Sequence, residues 1–465
     1  MESERTVTSG PNCHLDFMAL EYHGLTLSMM KTLHLTNAWA ATSGGVATFY
    51  RALIDAANER QQFIRLVAPD ERTWTEEVGR FGRIYHVKAP RAPFNRNYRV
   101  LYYNRGVLPG TSLHRILAEE KPDLVEICDK YALNWLAGLM GIGAVPALPI
   151  KPVLVALSCE RMDDNLAAYV TRGAAGRWFS RFYMKWFYFP LFHHHITVSE
   201  YTADELRLAS RGHRLERGIW VRPMGVDLGA FSPWRRSPAE RGELLRKVGG
   251  GESTVLLLYT GRLAPEKNLD LLVGVMRELA ADRQRDYRLL VAGDGIRAAK
   301  LRADFGRATP GRVTFLGHVG SKHELAGLYA NTDCFLHPNP REPFGIAPLE
   351  AMASGLPLVA PNSGGLTAYA NERNAWLAAA EPRAFADAVR AVFDDLPGRR
   401  LRVEEALRTA AQLDWPRVAH NYLRLYDDIH ALASGRLALN AIAPRLRAAW
   451  GRKATGPHEE FPKSA

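Results

Sequence analysis

Two glutamates separated by seven residues carry the first chemical signal in this chain. Glu342 and Glu350 bracket Pro343-Phe344-Gly345-Ile346-Ala347-Pro348-Leu349, and the run continues into Ala351-Met352-Ala353-Ser354-Gly355. Proline is tolerated in a helix only in its first turn, where the missing N–H has no partner to lose, so Pro348 predicts a helix start near Ile346 or Ala347. Gly345, just ahead of it, lets the backbone approach a ligand closely. The unpaired N–H groups of such a start favour a phosphate or a polar sugar, and Glu350 can accept hydrogen bonds from vicinal hydroxyls. Glu342 then flanks the same ligand from the loop. The competing reading is two acidic groups that only complement the helix dipole, worth about 0.3–1 kcal/mol.

A second cluster is basic. Tyr259-Thr260-Gly261-Arg262-Leu263-Ala264-Pro265-Glu266-Lys267-Asn268 stands between an apolar run and a helical period. Arg262, with its planar fork, and Lys267, as a point charge, are suited to neutralise a diphosphate. A basic pair on a loop can also be merely solvated. Thr42-Ser43-Gly44-Gly45-Val46 repeats the theme nearer the N-terminus: two glycines before a helix expected from about Ala47 form either an ordinary turn or a phosphate-facing nest. Gly293, Gly295, Gly364 and Gly365 are weaker signals, and the first two read as architecture.

These loops need a scaffold that brings strand ends together. From Lys31 onward, short apolar runs alternate with helical periods, the pattern of a parallel sheet covered on both faces. Strands are expected at Lys31–Leu35, Ile64–Ala68, Leu124–Ile127, Val153–Leu157 and His194–Val198. A second series follows at Thr254–Tyr259, Arg288–Ala292, Val313–Leu316, Cys334–Leu336 and Leu358–Ala360, with helices such as Leu269–Ala280 and Glu324–Ala330 between them. The fold class is therefore α/β with two doubly wound, Rossmann-like units in series. Every chemical cluster named above falls at the carboxyl end of a strand, the edge where such sheets bind ligands.

At 465 residues the chain is too long for one ordinary core, and the Ser/Pro- and Gly-containing stretch from Phe231 to Ser253 marks a junction near residue 240. The expected organisation is a loose arm over 1–29, a first domain over 30–240, a second over 241–412, a returning helix over 413–435 and a basic tail over 436–465. Four widely spaced cysteines suggest neither a disulfide framework nor a zinc site, which suits a reducing cytoplasm. No apolar run is long enough for a bilayer span. The net charge of +11 is compatible with nucleic acid, an anionic membrane surface or a phosphorylated ligand. No nucleic-acid-binding motif accompanies it, so nucleic acid is not expected as a partner. Ala174 to Phe189 mixes Trp178, Phe179, Phe182, Tyr183, Trp186, Phe187, Tyr188 and Phe189 with Arg177, Arg181 and Lys185. It reads either as a core helix with basic outer positions or as a membrane-interface segment.

The spaced glutamates, the Arg-Lys loop and the glycine turns, in this order, resemble the retaining glycosyltransferases of family 4, which have the GT-B architecture of two Rossmann-like domains facing across a cleft. The resemblance covers roughly residues 31 to 430, including Asp414-Trp415 and the helix that would brace the first domain. It implies a nucleotide-sugar donor in the second domain, a glycan or lipid-linked acceptor on the first, and no cofactor. It also implies a cytoplasmic enzyme, with a peripheral place at the inner membrane face as an extension of the charge reading. By resemblance, Glu342 contacts donor-sugar hydroxyls, Glu350 the ribose, and Arg262 and Lys267 the diphosphate, with Gly261, Phe344, Gly345 and Ile346 around the donor. Gly44 and Gly45 are assigned to the diphosphate or the catalytic centre.

No metal-ligand cluster stands beside Arg262 and Lys267, so cations and helix starts are expected to meet the leaving-group charge without a divalent ion. The chain departs from the family where a first-domain His is common. It reads Ser158-Cys159-Glu160-Arg161-Met162-Asp163 there, and Glu160, Arg161 and Asp163 either bind acceptor or form an ion-pair cluster. A turn that usually holds glycine has become Glu372-Arg373-Asn374-Ala375-Trp376. The alternatives left standing are a same-fold epimerase or phosphorylase, or a non-catalytic nucleotide-sugar-binding partner.

Overall fold

The computed structural model describes residues 30–39, 44–92, 98–169, 174–213 and 218–435; the expected arm over 1–29, Thr42-Ser43 and the tail over 436–465 lie outside them. Eight strands form the first sheet: β1 (Lys31–Thr36), β2 (Phe63–Asp70), β3 (Trp74–Val78), β4 (Gly82–Lys88), β5 (Leu124–Cys128), β6 (Val153–Ser158), β7 (His194–Thr197) and β8 (Gly218–Val221). Six form the second: β9 (Val255–Thr260), β10 (Tyr287–Ala292), β11 (Val313–Gly317), β12 (Cys334–Leu336), β13 (Leu358–Pro361) and β14 (Trp376–Ala378). Their spatial orders are β3-β4-β2-β1-β5-β6-β7-β8 and β11-β10-β9-β12-β13-β14. All pairings are parallel except β3 with β4.

The central strands are buried along almost their whole length because helices cover both faces; Val-Leu-Leu-Leu-Tyr-Thr of β9 is buried throughout. The expectations missed β3, β4, β8 and β14. Trp-Thr-Glu-Glu-Val of β3 is an exposed, polar edge strand whose pairing depends on the turn at Gly79 and on β4. The three-residue β14 is too short to carry a period. Its turn is built by Asn374, whose side chain accepts from Asn371 N (2.8 Å) and donates to Tyr369 O (2.9 Å).

In each sheet the chain winds first one way from a central strand and then the other. The reversal falls between β1 and β5 in the first sheet and between β9 and β12 in the second. A crevice opens at the strand ends where winding reverses. The loops after β9 and β12 are those holding Arg262, Lys267 and Glu342.

Two chain crossings lie side by side at the junction: Val226 N donates to Leu413 O (2.8 Å) and Trp415 N to Val226 O (3.0 Å). Helix Trp415–Ala433 then packs on helix Gly44–Glu59 of the first domain. Tyr426 and Tyr50 both donate to the buried carboxylate of Glu126 on β5, and His34 of β1 completes the cluster at 2.9 Å. A polar knot inside the first domain thus fixes a helix that arrives from the second.

Candidate active site in the interdomain cleft

The helix after β12 starts at Ile346, with Gly345 at its N-cap in the left-handed region (φ 91°) and no side chain capping the first turn. Its leading N–H groups are therefore open to a ligand rather than satisfied by the protein. Glu342, one turn ahead, is almost fully buried. Lys267 Nζ donates to both its oxygens (2.8 and 3.1 Å), Asn339 Nδ2 to Oε2 (3.0 Å), and His337 Nε2 stands 3.7 Å from Oε2. Burial alone would raise the Glu342 pKa, but the Lys267 ammonium outweighs it and brings the group down to about 2. His337 is pushed down to about 4 by burial, so the site is Glu⁻, Lys⁺ and neutral His at physiological pH. His337 Nε2 has no hydrogen-bond partner among the described residues.

Glu350 behaves oppositely. Burial raises it to about 7, opposed by the hydroxyl of Tyr329, which donates to Oε2 (2.9 Å). Tyr329 OH also contacts Thr260 Oγ1, which ties Glu350 to the end of β9. The two carboxylates therefore shift in opposite directions: Lys267 in direct contact outweighs burial at Glu342, whereas burial dominates at Glu350.

Arg262 is half exposed and pairs with Glu266 (3.1 Å). Glu266 also accepts from Tyr169 OH of the first domain (2.6 Å), so the basic loop touches both walls of the cleft. Further contacts cross the gap: Ser199 Oγ donates to Pro343 O (2.6 Å), and Arg341 lies 3.8 Å from Asp164. Gly45 faces Ile346 so closely that a Cβ there would stand 2.9 Å from Ile346 Cδ1. Its helix begins at Gly44, three residues ahead of the expected Ala47, so the double glycine lies inside the first helical turn rather than in the preceding loop. Gly293 is architectural, since a Cβ would collide with the carbonyl of Gly261.

The structure thus brings Arg262, Lys267, Glu342, Gly345, Ile346, Glu350 and Gly45 to one cleft, with Gly261 at the root of the basic loop. Phe344 differs: its ring is buried against Tyr369 (5.1 Å between centroids), so that side chain belongs to the core. The physical reason is the left-handed turn at Gly345, held by Tyr369 OH donating to Gly345 O.

Glu160, Arg161 and Asp163 lie on the first domain at the start of helix Met162–Tyr169. Arg161 forks onto Asp163 (2.9 and 2.7 Å), donates to Tyr201 O (2.8 Å) and covers the Tyr201 ring. That arrangement is an ion-pair brace at the start of helix Met162–Tyr169. Sequence reasoning missed its foundation, the buried pair Lys130–Glu205 (2.7 Å): Lys130 also donates to Glu160 O, while Glu205 accepts from Met162 N and Asp163 N. The available signal was the position of Lys130 just after β5. His337 and Asn339 were missed too, although both stand within five residues of Glu342 in the same loop.

Two family models match the chain, "Glycosyltransferase Family 4" over residues 43–229 and "Glycosyl transferases group 1" over residues 254–395. The GDP-mannose-dependent alpha-(1-6)-phosphatidylinositol dimannoside mannosyltransferase of Mycobacterium tuberculosis is 28% identical over 399 residues, covering 85% of this chain and 95% of its own. A GDP-mannose-dependent alpha-mannosyltransferase of the same species is 32% identical over 284 residues, 60% of this chain and 65% of its own. Among solved structures, sucrose-phosphate synthase from Thermosynechococcus elongatus superposes with a TM-score of 0.66 at 18% identity, covering 86% of this chain and all of that one. Anabaena HepE, solved with UDP and glucose, gives 0.61 at 17% identity, covering 86% of this chain and 99% of its own. These neighbours share the two-domain GT-B architecture described above.

Proposed function

The chain belongs to the family 4, group 1 glycosyltransferases, and from that premise we propose that it transfers a sugar from a nucleotide-sugar to a glycan or lipid-linked acceptor with retention of anomeric configuration. The observation that carries the reading is the meeting of Lys267 with Glu342 beside the uncapped helix start at Ile346, with Arg262 on the same loop as Lys267.

The donor diphosphate would lie across that start, taking Arg262 and Lys267 as counter-charges; these cations and oriented N–H groups meet the negative charge as the anomeric C–O bond breaks. No divalent ion is assigned a role. Glu342, ionised and fixed by Lys267 and Asn339, would hold sugar hydroxyls rather than attack the anomeric carbon. Glu350 would take the ribose hydroxyls. The acceptor hydroxyl, approaching from the first domain, would add to the oxocarbenium-like centre on the face the diphosphate leaves, and a leaving phosphate oxygen would take its proton. Closure of Gly45 against Ile346 would keep water out. The printed names of the relatives make GDP-mannose the first donor to try and a phosphoinositide-based glycolipid the first acceptor. The enzyme would act in the cytoplasm or peripherally at an anionic inner membrane face.

The test is a panel of UDP-, GDP- and ADP-sugars scored by thermal shift and slow donor hydrolysis, with wild type, Glu342→Ala and Arg262→Ala side by side. One donor should stabilise the protein and be hydrolysed by wild type alone, with the product anomer matching the donor by NMR and the rate unchanged by a chelator. Binding without turnover, even with acceptors, would leave the non-catalytic partner as the reading.

A further inference from the structure

Ala174–Tyr183 is an α-helix that runs into a wider π turn over Met184–Tyr188. Side chains four apart form rows along it. Gly176, Ser180, Met184 and Tyr188 are buried, whereas Trp178, Phe182 and Trp186 are exposed, Trp178 by 67% and Trp186 by 55%. Phe179, Tyr183 and Phe187 stack in the adjoining row at 6.4 and 6.1 Å, and Arg177, Arg181 and Lys185 make the next. In a plain α-helix a four-residue row drifts around the axis, because a turn takes about 3.6 residues. The π turn is wider and cancels part of that drift, so the rows stay on one side. Both readings of this segment hold in part: Met184, Tyr188 and Phe189 belong to the core, whereas Trp178, Phe179, Phe182, Trp186 and Phe187 face solvent.

Among the described residues, Arg177, Arg181 and Lys185 form no ion pair, and the chain contains no carboxylate between Asp164 and Glu200. Glu200 and Asp204, on the neighbouring helix, are paired with Arg207. Arg211 is exposed in the loop beside Lys185, where His213 contacts Lys185 O at 2.8 Å. The ridge is also joined to the acceptor wall of the cleft. Tyr183 OH donates to Lys130 O (2.9 Å), and helix Met162–Tyr169, whose Tyr169 reaches Glu266, packs against it.

We propose that the aromatic ridge of Trp178, Phe179, Phe182, Trp186 and Phe187 seats in the interface of an anionic lipid bilayer, with Arg177, Arg181, Lys185 and Arg211 on the headgroups. Flat rings with polar edges suit the headgroup level, and a row of cations with no ion-pair partner among the described residues, Lys185 lying over the Trp186 ring, complements anionic lipid rather than a protein face of mixed charge. The inference deepens the lipid-linked acceptor reading and rests on it only for the purpose of docking. The acceptor headgroup would rise from the bilayer along helix Met162–Tyr169 into the cleft.

The experiment is flotation of the full chain with phosphatidylcholine vesicles, with and without phosphatidylglycerol, at low and high salt. Wild type should float only with the anionic vesicles and be released by salt. Two variants are compared: Trp178→Ala/Phe182→Ala/Trp186→Ala, and Arg177→Gln/Arg181→Gln/Lys185→Gln. Removing three cations should weaken binding on the order of a hundredfold. The aromatic variant should lose binding while retaining wild-type donor hydrolysis and sedimentation. Wild type that stays with the protein fraction, or variants that float like wild type, overturn the proposal. A wild-type dimer abolished by the aromatic substitutions, with no vesicle binding, also overturns it and assigns the ridge to a second copy. Failure of donor hydrolysis with vesicle binding intact would count against the transferase reading and leave the docking surface standing.

Discussion

Replacing Lys267 by methionine isolates the interaction on which the proposed donor site depends. In the wild type, burial opposes the charge of Glu342, yet Lys267 brings its pKa from the ordinary 4.5 to about 2. A depressed carboxylate contributes stability that is complete above the unfolded pKa and is lost as pH falls through the folded one. The difference corresponds to about 3 kcal/mol at neutral pH, falling to about half of that near pH 3. The Glu342 side chain is only 11% exposed, so solvent screens little of this. Lys267→Met leaves the carboxylate buried without its cation, and burial then raises the pKa above 4.5, reversing the sign of the contribution. Calorimetry across pH should show the variant melting about 6–12 °C below wild type at pH 7, with the gap narrowing steadily toward pH 3. Lys267→Met/Glu342→Gln should recover most of the loss without recovering donor hydrolysis, because a neutral pair is no longer a buried unpaired charge. A gap that is absent, or that stays constant from pH 7 to 3, would refute the ion pair as the source.

Glu350 sits at about 7 because of burial, so donor KM should rise by up to tenfold per pH unit below pH 7 as the ribose acceptor is protonated, and Glu350→Gln should flatten that profile. The raised pKa also means that stability from this residue is present below 4.5 and lost as pH rises through 7, so Glu350→Gln should gain on wild type in thermal melts above pH 7. Gly45→Val places a branched side chain where a Cβ already meets Ile346, and kcat/KM should fall on the order of a hundredfold with an unchanged melting point; equal activity would remove the closure contact from the mechanism. Tyr426→Phe deletes one of three hydrogen bonds to buried Glu126, and should cost about 1–3 kcal/mol in thermal or urea unfolding; no loss would mean that the knot does not hold the returning helix.

The meeting of Glu342 with Lys267 was legible because the residues lie in two short loops, each following an apolar run. Pro348 located the helix start, and the spacing of Glu342 and Glu350 placed one carboxylate before it and one within it. Arg262 and Lys267 were readable for the same reason. Sequence distance hid the rest. The Lys130–Glu205 pair joins positions 75 residues apart, and the Glu126–Tyr426 contact joins positions 300 apart. Neither residue type is informative until the sheet order brings the partners together. The edge strand β3 escaped because its exposed, polar residues carry no core-facing period. The aromatic segment misled in a different way. Its rings fill more than one row of the helix, and only the packing shows that Tyr188 and Phe189 turn into the core while Trp178, Phe182 and Trp186 turn out.

The difference between the two carboxylates also explains why this site cannot be read as a general acid–base pair. The two sit at opposite limits of carboxylate titration, the situation that elsewhere separates an acid from a base. Here neither is placed to shuttle a proton. Glu342 is locked by Lys267 and Asn339 on the oxygens it would need, and Glu350 bonds back to Tyr329 and the end of β9. On the proposed reading, a donor with a charged diphosphate between them would supply the missing element. Its hydroxyls could share the fixed charge of Glu342, its ribose could bring the buried Glu350 into hydrogen bonding, and its phosphates could compete with Glu266 for Arg262. Binding would then release the Tyr169–Glu266 contact across the cleft and couple donor occupancy to the position of the acceptor wall.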